Sequence, residues 1–343
     1  MRYFDGHNDL LLRLTVADRP ATDFLDGDGK GHIDLPRAKA GGMVGGHYAM
    51  FSPPDRAEGQ PVASSYHGLP PMLPPERAWH WVRRELALFA RIVEEGEGRV
   101  VHCRSGAEVE AAIEAGRHAM VLHLEGCEAI EADLDLLHVL HAAGLRSLGP
   151  VWSRETIFGT GVPLKYPGTP DIGPGLTDAG KALIREANRL NIQIDLSHMN
   201  EKGFWDIASI SDAPLVATHS NVHALCEAPR NLTDKQLDAI RDSGGMVGLN
   251  FGARFLRQDG QANGDFPMAR MVEHLDYLLE KLGEDHVGLG SDFDGVEITR
   301  EIKDVSDMPK FFALLADHGY DDGLIEKIAW RNWVAHLKRT LDR

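Results

Sequence analysis

Met120-Val121-Leu122-His123-Leu124-Glu125-Gly126 is a short apolar run that ends in a carboxylate and a glycine. Runs of this length, bounded by Gly, Pro, Asn or Asp, read as buried strands. Seven others occur, at 2–10, 42–51, 146–152, 192–198, 215–220, 245–251 and 286–293. Segments of helical period lie between them. Residues 75–95 carry Trp79, Val82, Leu86, Phe89 and Val93 on one stripe,. Thr177-Asp178 opens a second helix, Thr233 and Gln236 form a capping box for a third, and Pro267 takes a first-turn position ahead of a fourth,. Eight strands alternating with helices predict a (β/α)8 TIM barrel, with an open doubly wound sheet as the alternative.

The whole chain, 1–343, is then one barrel domain. Its length exceeds the usual single domain because two strand-to-helix loops are long. Residues 53–75 hold seven prolines, and residues 159–175 alternate Pro and Gly. Both belong to the C-terminal mouth, where barrels build their sites, and both are candidate lids. A last helix at about 322–341 is expected to pack outside the barrel.

Composition excludes some functions. The formal charge of -16 disfavours nucleic acid and anionic membranes, whose binders depend on basic residues,. Three cysteines, Cys103, Cys127 and Cys226, form no C-x-x-C pair and suit a reducing compartment,. The N-terminus places Asp5, His7 and Asp9 where a signal peptide needs an apolar run, and no apolar stretch of membrane-spanning length follows,. A cytoplasmic protein without membrane or nucleic-acid partners is the expectation.

The strand ends carry the chemistry. Asp5-Gly6-His7-Asn8-Asp9 puts His7 and Asp9 on one face of a strand,. The third run ends in His123-Leu124-Glu125-Gly126, the fifth in Asp195-Leu196-Ser197-His198, the sixth in Thr218-His219-Ser220-Asn221, and the eighth in Gly290-Ser291-Asp292-Phe293-Asp294-Gly295. Buried carboxylates and imidazoles cost several kcal/mol unless paired or coordinated, so a packed core has no use for this pattern. Three His, one Asp and one bridging Glu supply the mixed nitrogen and oxygen donors that two Zn²⁺ ions require.

These motifs, with Ala228-Pro229-Arg230-Asn231, recur in an order that resembles the membrane (renal) dipeptidase family, peptidase M19-like, within the amidohydrolase superfamily of metal-dependent barrels. The resemblance implies that His7, Asp9 and Glu125 hold one zinc and Glu125, His198 and His219 the other. It implies a bridging hydroxide as nucleophile, Asp292 as general base then acid, and Arg230 as the clamp on the substrate's terminal carboxylate. A small dipeptide is the implied substrate, with a D-residue tolerated at its C-terminal position and a homodimer among the expected assemblies.

One position departs from the family. Gly149-Pro150-Val151-Trp152-Ser153-Arg154 places Trp152 where the family usually offers a His to the substrate carbonyl, leaving Arg154, another group or zinc alone for the oxyanion,. Trp152 and Asn250 are candidate substrate contacts, and Arg254 a weaker one. Trp152 also keeps open a hydrolase acting on an amide, lactam or lactone of an amino-acid-like substrate. A barrel that binds metal or peptide without turnover is opposed by the full ligand set and Asp292. His123 reads as a hydrogen-bonded core residue, Cys127 as a small buried hydrophobe, and Asp294 as a turn residue or one that orients a metal-bound His.

Overall fold

The computed structural model describes residues 1–54 and 68–343. Its strands are β1 (Tyr3–Asn8), β2 (Met43–Phe51), β3 (Val100–His102), β4 (His118–Glu125), β5 (Leu145–Gly149), β6 (Gln193–Ile194), β7 (Val216–Ala217), β8 (Met246–Leu249) and β9 (Val287–Leu289). All pairings between them are parallel, in the order β6-β5-β4-β2-β1-β9-β8-β7. The Asp195–Val216 bridge and the Leu196 N–H to Val216 C=O bond, 2.9 Å, join β6 to β7 and close the ring. Each of the eight expected runs contributes one barrel strand. The ninth, β3, has no counterpart among those runs: three residues give no readable alternation, and it pairs only with the start of β4 before β5 takes over that edge from Leu122.

In β6 and β9, which stop sooner than their apolar runs, side chains take over backbone donors that a longer ladder would use,. Asp195 Oδ1 accepts the N–H groups of Ser197 and Thr218 at 3.1 and 2.8 Å, ending β6. Asp5 accepts Ser291 N–H at 2.7 Å, ending β9. The chain beyond these points is released from sheet geometry and aims its polar side chains across the mouth.

The helices follow the predicted signals closely. Pro75–Glu95 is one helix, Asp178–Arg189 is capped by Thr177, and Asp234–Asp242 carries the Thr233–Gln236 capping box. Pro267 instead precedes its helix, which begins at Ala269.

The last helix corrects an expectation. Residues 322–341 are helical throughout, with a π-helical turn at Lys327–Arg331, but they do not simply pack outside the barrel. Trp333 is wholly buried, packs near Phe4 and His47, and donates its indole N–H to Leu289 C=O at 2.8 Å. It enters the barrel interior against β1, β2 and β9. A Cβ on Gly6 would lie 2.4 Å from its ring and one on Gly288 2.6 Å, so both strands need glycine there. Trp333→Ala should cost about 3–5 kcal/mol of stability, read as a lowered denaturation midpoint.

Of the two long loops, 55–67 lie outside the described residues, so the lid reading of 53–75 concerns only its ends here; Pro53 and Pro54 stand on the cavity wall. The loop 159–175 bonds to neighbouring segments and places Leu164 on the cavity wall. Val162 N–H binds His198 C=O at 2.9 Å, Gly168 N–H binds Glu227 C=O at 2.8 Å, and Asn200 holds the carbonyl of Pro174 at 2.7 Å. No helix among the described residues is long and apolar enough to cross a membrane.

Candidate functional site

Glu125 is the last residue of β4, and three imidazoles from three other strand ends converge on it. Its Oε1 lies 2.9 Å from His198 Nε2, 3.3 Å from His219 Nε2 and 3.7 Å from His7 Nε2. His7 Nε2 is 3.6 Å from Asp9 Oδ2. His7, Asp9 and Glu125 form one group of potential ligand atoms, and Glu125, His198 and His219 another, each within 4.8 Å of one another. The two share Glu125. A third group, His7, Asp195 and His219, goes beyond the expected ligand set and brings in Asp195, which the sequence shows only as part of a motif.

Electrostatics in this cluster call for a cation. Burial pushes the Glu125 carboxyl well above its ordinary range and holds His198 and His219 well below theirs, so these two rings are neutral and competent to donate a lone pair,. Burial pulls His7 down as well, but Glu125 and Asp9 outweigh it and raise the ring to about 10. The carboxylates thus draw a positive charge onto His7. Both ring nitrogens of His7 are buried without a hydrogen-bond partner among the described residues, an arrangement that coordination would relieve for one of them,. The donor set of two carboxylates and three imidazoles fits divalent metal.

Asp292 stands beside the cluster. It follows β9 in a left-handed conformation, φ 59°, and Asp294 repeats this at φ 69°. Two such residues in one turn are strained and persist only where surroundings impose them. Asn250 donates to Asp292 Oδ2 at 2.7 Å, and Asp292 N–H binds His7 C=O at 3.0 Å. Burial, then the Asp9 carboxylate, raise the Asp292 carboxyl to about 6, in the range of a group that can take and return a proton,. Only glycine fits at 295, where a Cβ would lie 2.1 Å from Asp9 Oδ2 and 2.6 Å from Asp292 Oδ1.

Several roles expected from the sequence fall differently in the structure. Asn250, a candidate substrate contact, donates its amide to Asp292 Oδ2 and does not line the cavity. Asp294 does not touch a clustered imidazole; it takes Arg13 Nε–H at 3.1 Å and His32 N–H at 2.6 Å. Arg154, a candidate for the oxyanion, is buried beside Glu128 at 3.3 Å, donates to Ser52 C=O at 2.8 Å and stacks on Trp152. Trp152 does stand on the cavity wall, its ring 5.9 Å from that of His198 and 5.0 Å from Phe51. His123 is a buried core residue bound to Ser147 Oγ at 2.8 Å, and the Cys127 thiol is raised by burial.

Arg230 lies behind His198, buried. Its N–H groups reach His198 Nε2 at 3.2 Å, Ser220 Oγ at 2.9 Å, His219 C=O at 3.0 Å and Ser197 C=O. Burial lowers the guanidinium to about 10, still charged near neutrality.

A cavity of about 440 Å³ opens onto the cluster. Asp9, Glu125, His198 and Asp292 form its floor, and Phe51, Trp152, Leu164, Phe255 and Val296 stand among its apolar walls, with Arg254 also present. Its size suits a small ligand enclosed on most sides.

A family model described as membrane dipeptidase, peptidase family M19, matches residues 1–341. A solved dipeptidase AC, described as a metallopeptidase of family M19, is 49% identical, with a TM-score of 0.94, over 100% of this chain and 99% of that one. A metallopeptidase from Rhodobacter sphaeroides, solved with a phosphinate mimic of the dipeptide L-Ala-D-Ala, is 48% identical, with a TM-score of 0.94, over 99% of each. Dipeptidase tcpJ of Claviceps purpurea is 25% identical over 347 residues, 98% of this chain and 77% of the relative.

Proposed function

The chain belongs to the membrane dipeptidase family, peptidase family M19, as a metallo-dipeptidase, and from that premise we propose that it hydrolyses small dipeptides, including those with a C-terminal D-residue, at a two-zinc centre. The convergence of His7, Asp9, His198 and His219 on the single carboxylate of Glu125 carries this reading. The Rhodobacter relative's L-Ala-D-Ala mimic supports the stereochemistry. His7, Asp9 and Glu125 would hold one ion, and Glu125, His198 and His219 the other. Zinc bound there supplies a water acidified towards neutrality and a Lewis acid for the scissile carbonyl.

The chain's own groups do the rest. Asp292, fixed by Asn250 and raised by burial, accepts a proton at its carboxylate and returns it to the departing amine,. The apolar walls exclude bulk water and strengthen every charge interaction on the floor,. Trp152 adds a flat apolar surface beside His198. It has no basic nitrogen to exchange a proton with the substrate, so the proton traffic rests on Asp292. Arg230 holds an Nε–H 3.2 Å from His198 Nε2. When that nitrogen serves a metal, the N–H is left to meet a substrate carboxylate oxygen.

The test is a dipeptide panel containing matched L,L and L,D pairs and their C-terminal amides, run on zinc-loaded protein. Hydrolysis of free dipeptides with poor turnover of the amides is expected. Arg230→Met should raise KM for dipeptides about tenfold to a hundredfold, the contribution of a charged hydrogen bond of about 1.5–3 kcal/mol, with the amides little affected. Equal turnover of dipeptides and amides by the wild-type protein would remove the carboxylate clamp.

A further inference from the structure

The ring nitrogen that His219 keeps away from Glu125 is itself engaged. His219 Nδ1 lies 2.8 Å from Thr218 Oγ1, and Thr218 Oγ1 lies 2.6 Å from Asp195 Oδ2. Asp195, Thr218 and His219 are buried, so no bulk water competes for these bonds. The other carboxylate oxygen, Asp195 Oδ1, is taken by Ser197 N–H at 3.1 Å, Ser197 O–H at 2.6 Å and Thr218 N–H at 2.8 Å. A hydroxyl has one hydrogen to give. Facing a carboxylate, which only accepts, Thr218 must donate to Asp195 and accept from His219. The imidazole proton is then held on Nδ1, and Nε2, 3.3 Å from Glu125 Oε1, keeps its lone pair.

We propose that Asp195 and Thr218 are positioning residues that lock His219 in its metal-binding tautomer. This rests on the reading of Glu125, His198 and His219 as metal ligands. His198 has a shorter arrangement, its Nδ1 lying 2.9 Å from Ser153 Oγ, with no carboxylate among the partners described for that hydroxyl. His7 Nδ1 has no partner among the described residues. Of the three imidazoles, His219 is therefore the one whose proton the surroundings dictate through a carboxylate.

Asp195→Asn reverses the relay. The three donors on Oδ1 demand an oxygen there, so the amide NH₂ must occupy the place of Oδ2 and donate to Thr218 Oγ1,. The Thr218 hydroxyl then turns its hydrogen to His219 Nδ1, which drives the ring proton to Nε2 and closes the ligand position. Thr218→Val removes the hydroxyl at nearly constant shape and leaves the tautomer unguided. Thr218→Ser keeps the hydroxyl and the relay.

Zinc affinity and stoichiometry, measured without substrate by competition with a chromophoric chelator, test this. Wild type and Thr218→Ser should behave alike. Asp195→Asn should weaken one of the two sites by about 10-fold to 100-fold, and Thr218→Val should shift it in the same direction by less. Thermal midpoints of the metal-free proteins show whether each variant is folded. Wild-type zinc affinity in folded Asp195→Asn overturns the relay. Should that variant not fold, equal affinities for Thr218→Val and Thr218→Ser overturn it instead. Wild-type protein that binds no zinc would overturn the metal reading itself, and the relay with it, whatever the variants do.

Discussion

Glu125→Gln is expected to leave the folded protein with less than one zinc per chain and to reduce dipeptide turnover by about a thousandfold or more. The carboxylate lies within reach of all three imidazoles, at 2.9, 3.3 and 3.7 Å, so its charge serves both halves of the cluster. Losing the metal forfeits several kcal/mol of transition-state stabilisation, which at about 1.36 kcal/mol per decade amounts to that factor. The fold should survive, because the amide faces neutral His198 and His219 and leaves His7 beside the Asp9 carboxylate,. Zinc that binds only the native state raises its stability by mass action. The metal-replete wild type should therefore melt higher than its chelator-treated form, and Glu125→Gln should show little of that difference. Metal analysis beside the melting curves checks the prediction, and full zinc content in the variant would contradict it.

Asp292→Asn should retain its zinc and lose about 10²- to 10⁴-fold in kcat, the range of a positioned acid–base group, with KM little changed. Asn250 holds the carboxylate at Oδ2, and burial with the Asp9 charge raises its affinity for a proton. An amide of the same shape can still accept at its oxygen but cannot take up and return a proton. The separation of this variant from Glu125→Gln is diagnostic: one loses activity with its metal in place, the other loses both. Unchanged turnover in Asp292→Asn would move the proton traffic to another group. Asn250→Ala should fall between it and the wild type, since it removes the bond that fixes the carboxylate without removing the carboxylate.

Much of the site is legible in the sequence because barrel architecture writes its chemistry at predictable places. An apolar strand that ends in a ligand residue is unusual enough to be seen one run at a time, and five such ends in order are hard to produce by packing alone. The same logic explains what stays hidden. β3 is three residues long and has no period to read. Asp294 resembles a partner for a metal-bound His because it lies two residues past Asp292, yet the left-handed turn at both positions swings it towards Arg13 and His32. Asn250 sits where a substrate contact is expected, but its amide is spent on Asp292 and the His219 carbonyl. Arg154 follows the strand that should supply an oxyanion donor, but the buried carboxylate of Glu128 lies against it. Each of these depends on a partner more than twenty residues away, or on a backbone angle that no residue type announces.

Residue types and order by themselves determined that the chain alternates strand and helix, and that His7, Asp9, Glu125, His198, His219 and Asp292 end strands. A period of two or of 3.6 and a polar residue after an apolar run are local properties. Tertiary structure alone decided what lies between those ends: closure of the ring through Asp195 and Val216, entry of Trp333 into the barrel interior, and the hydrogen-bond chain from Asp195 through Thr218 to His219. Hydrogen bonds and ligand distances are set to tenths of an ångström by segments brought together only when the barrel closes. The ligands can be named from the chain, but the direction in which each one holds its proton requires their neighbours.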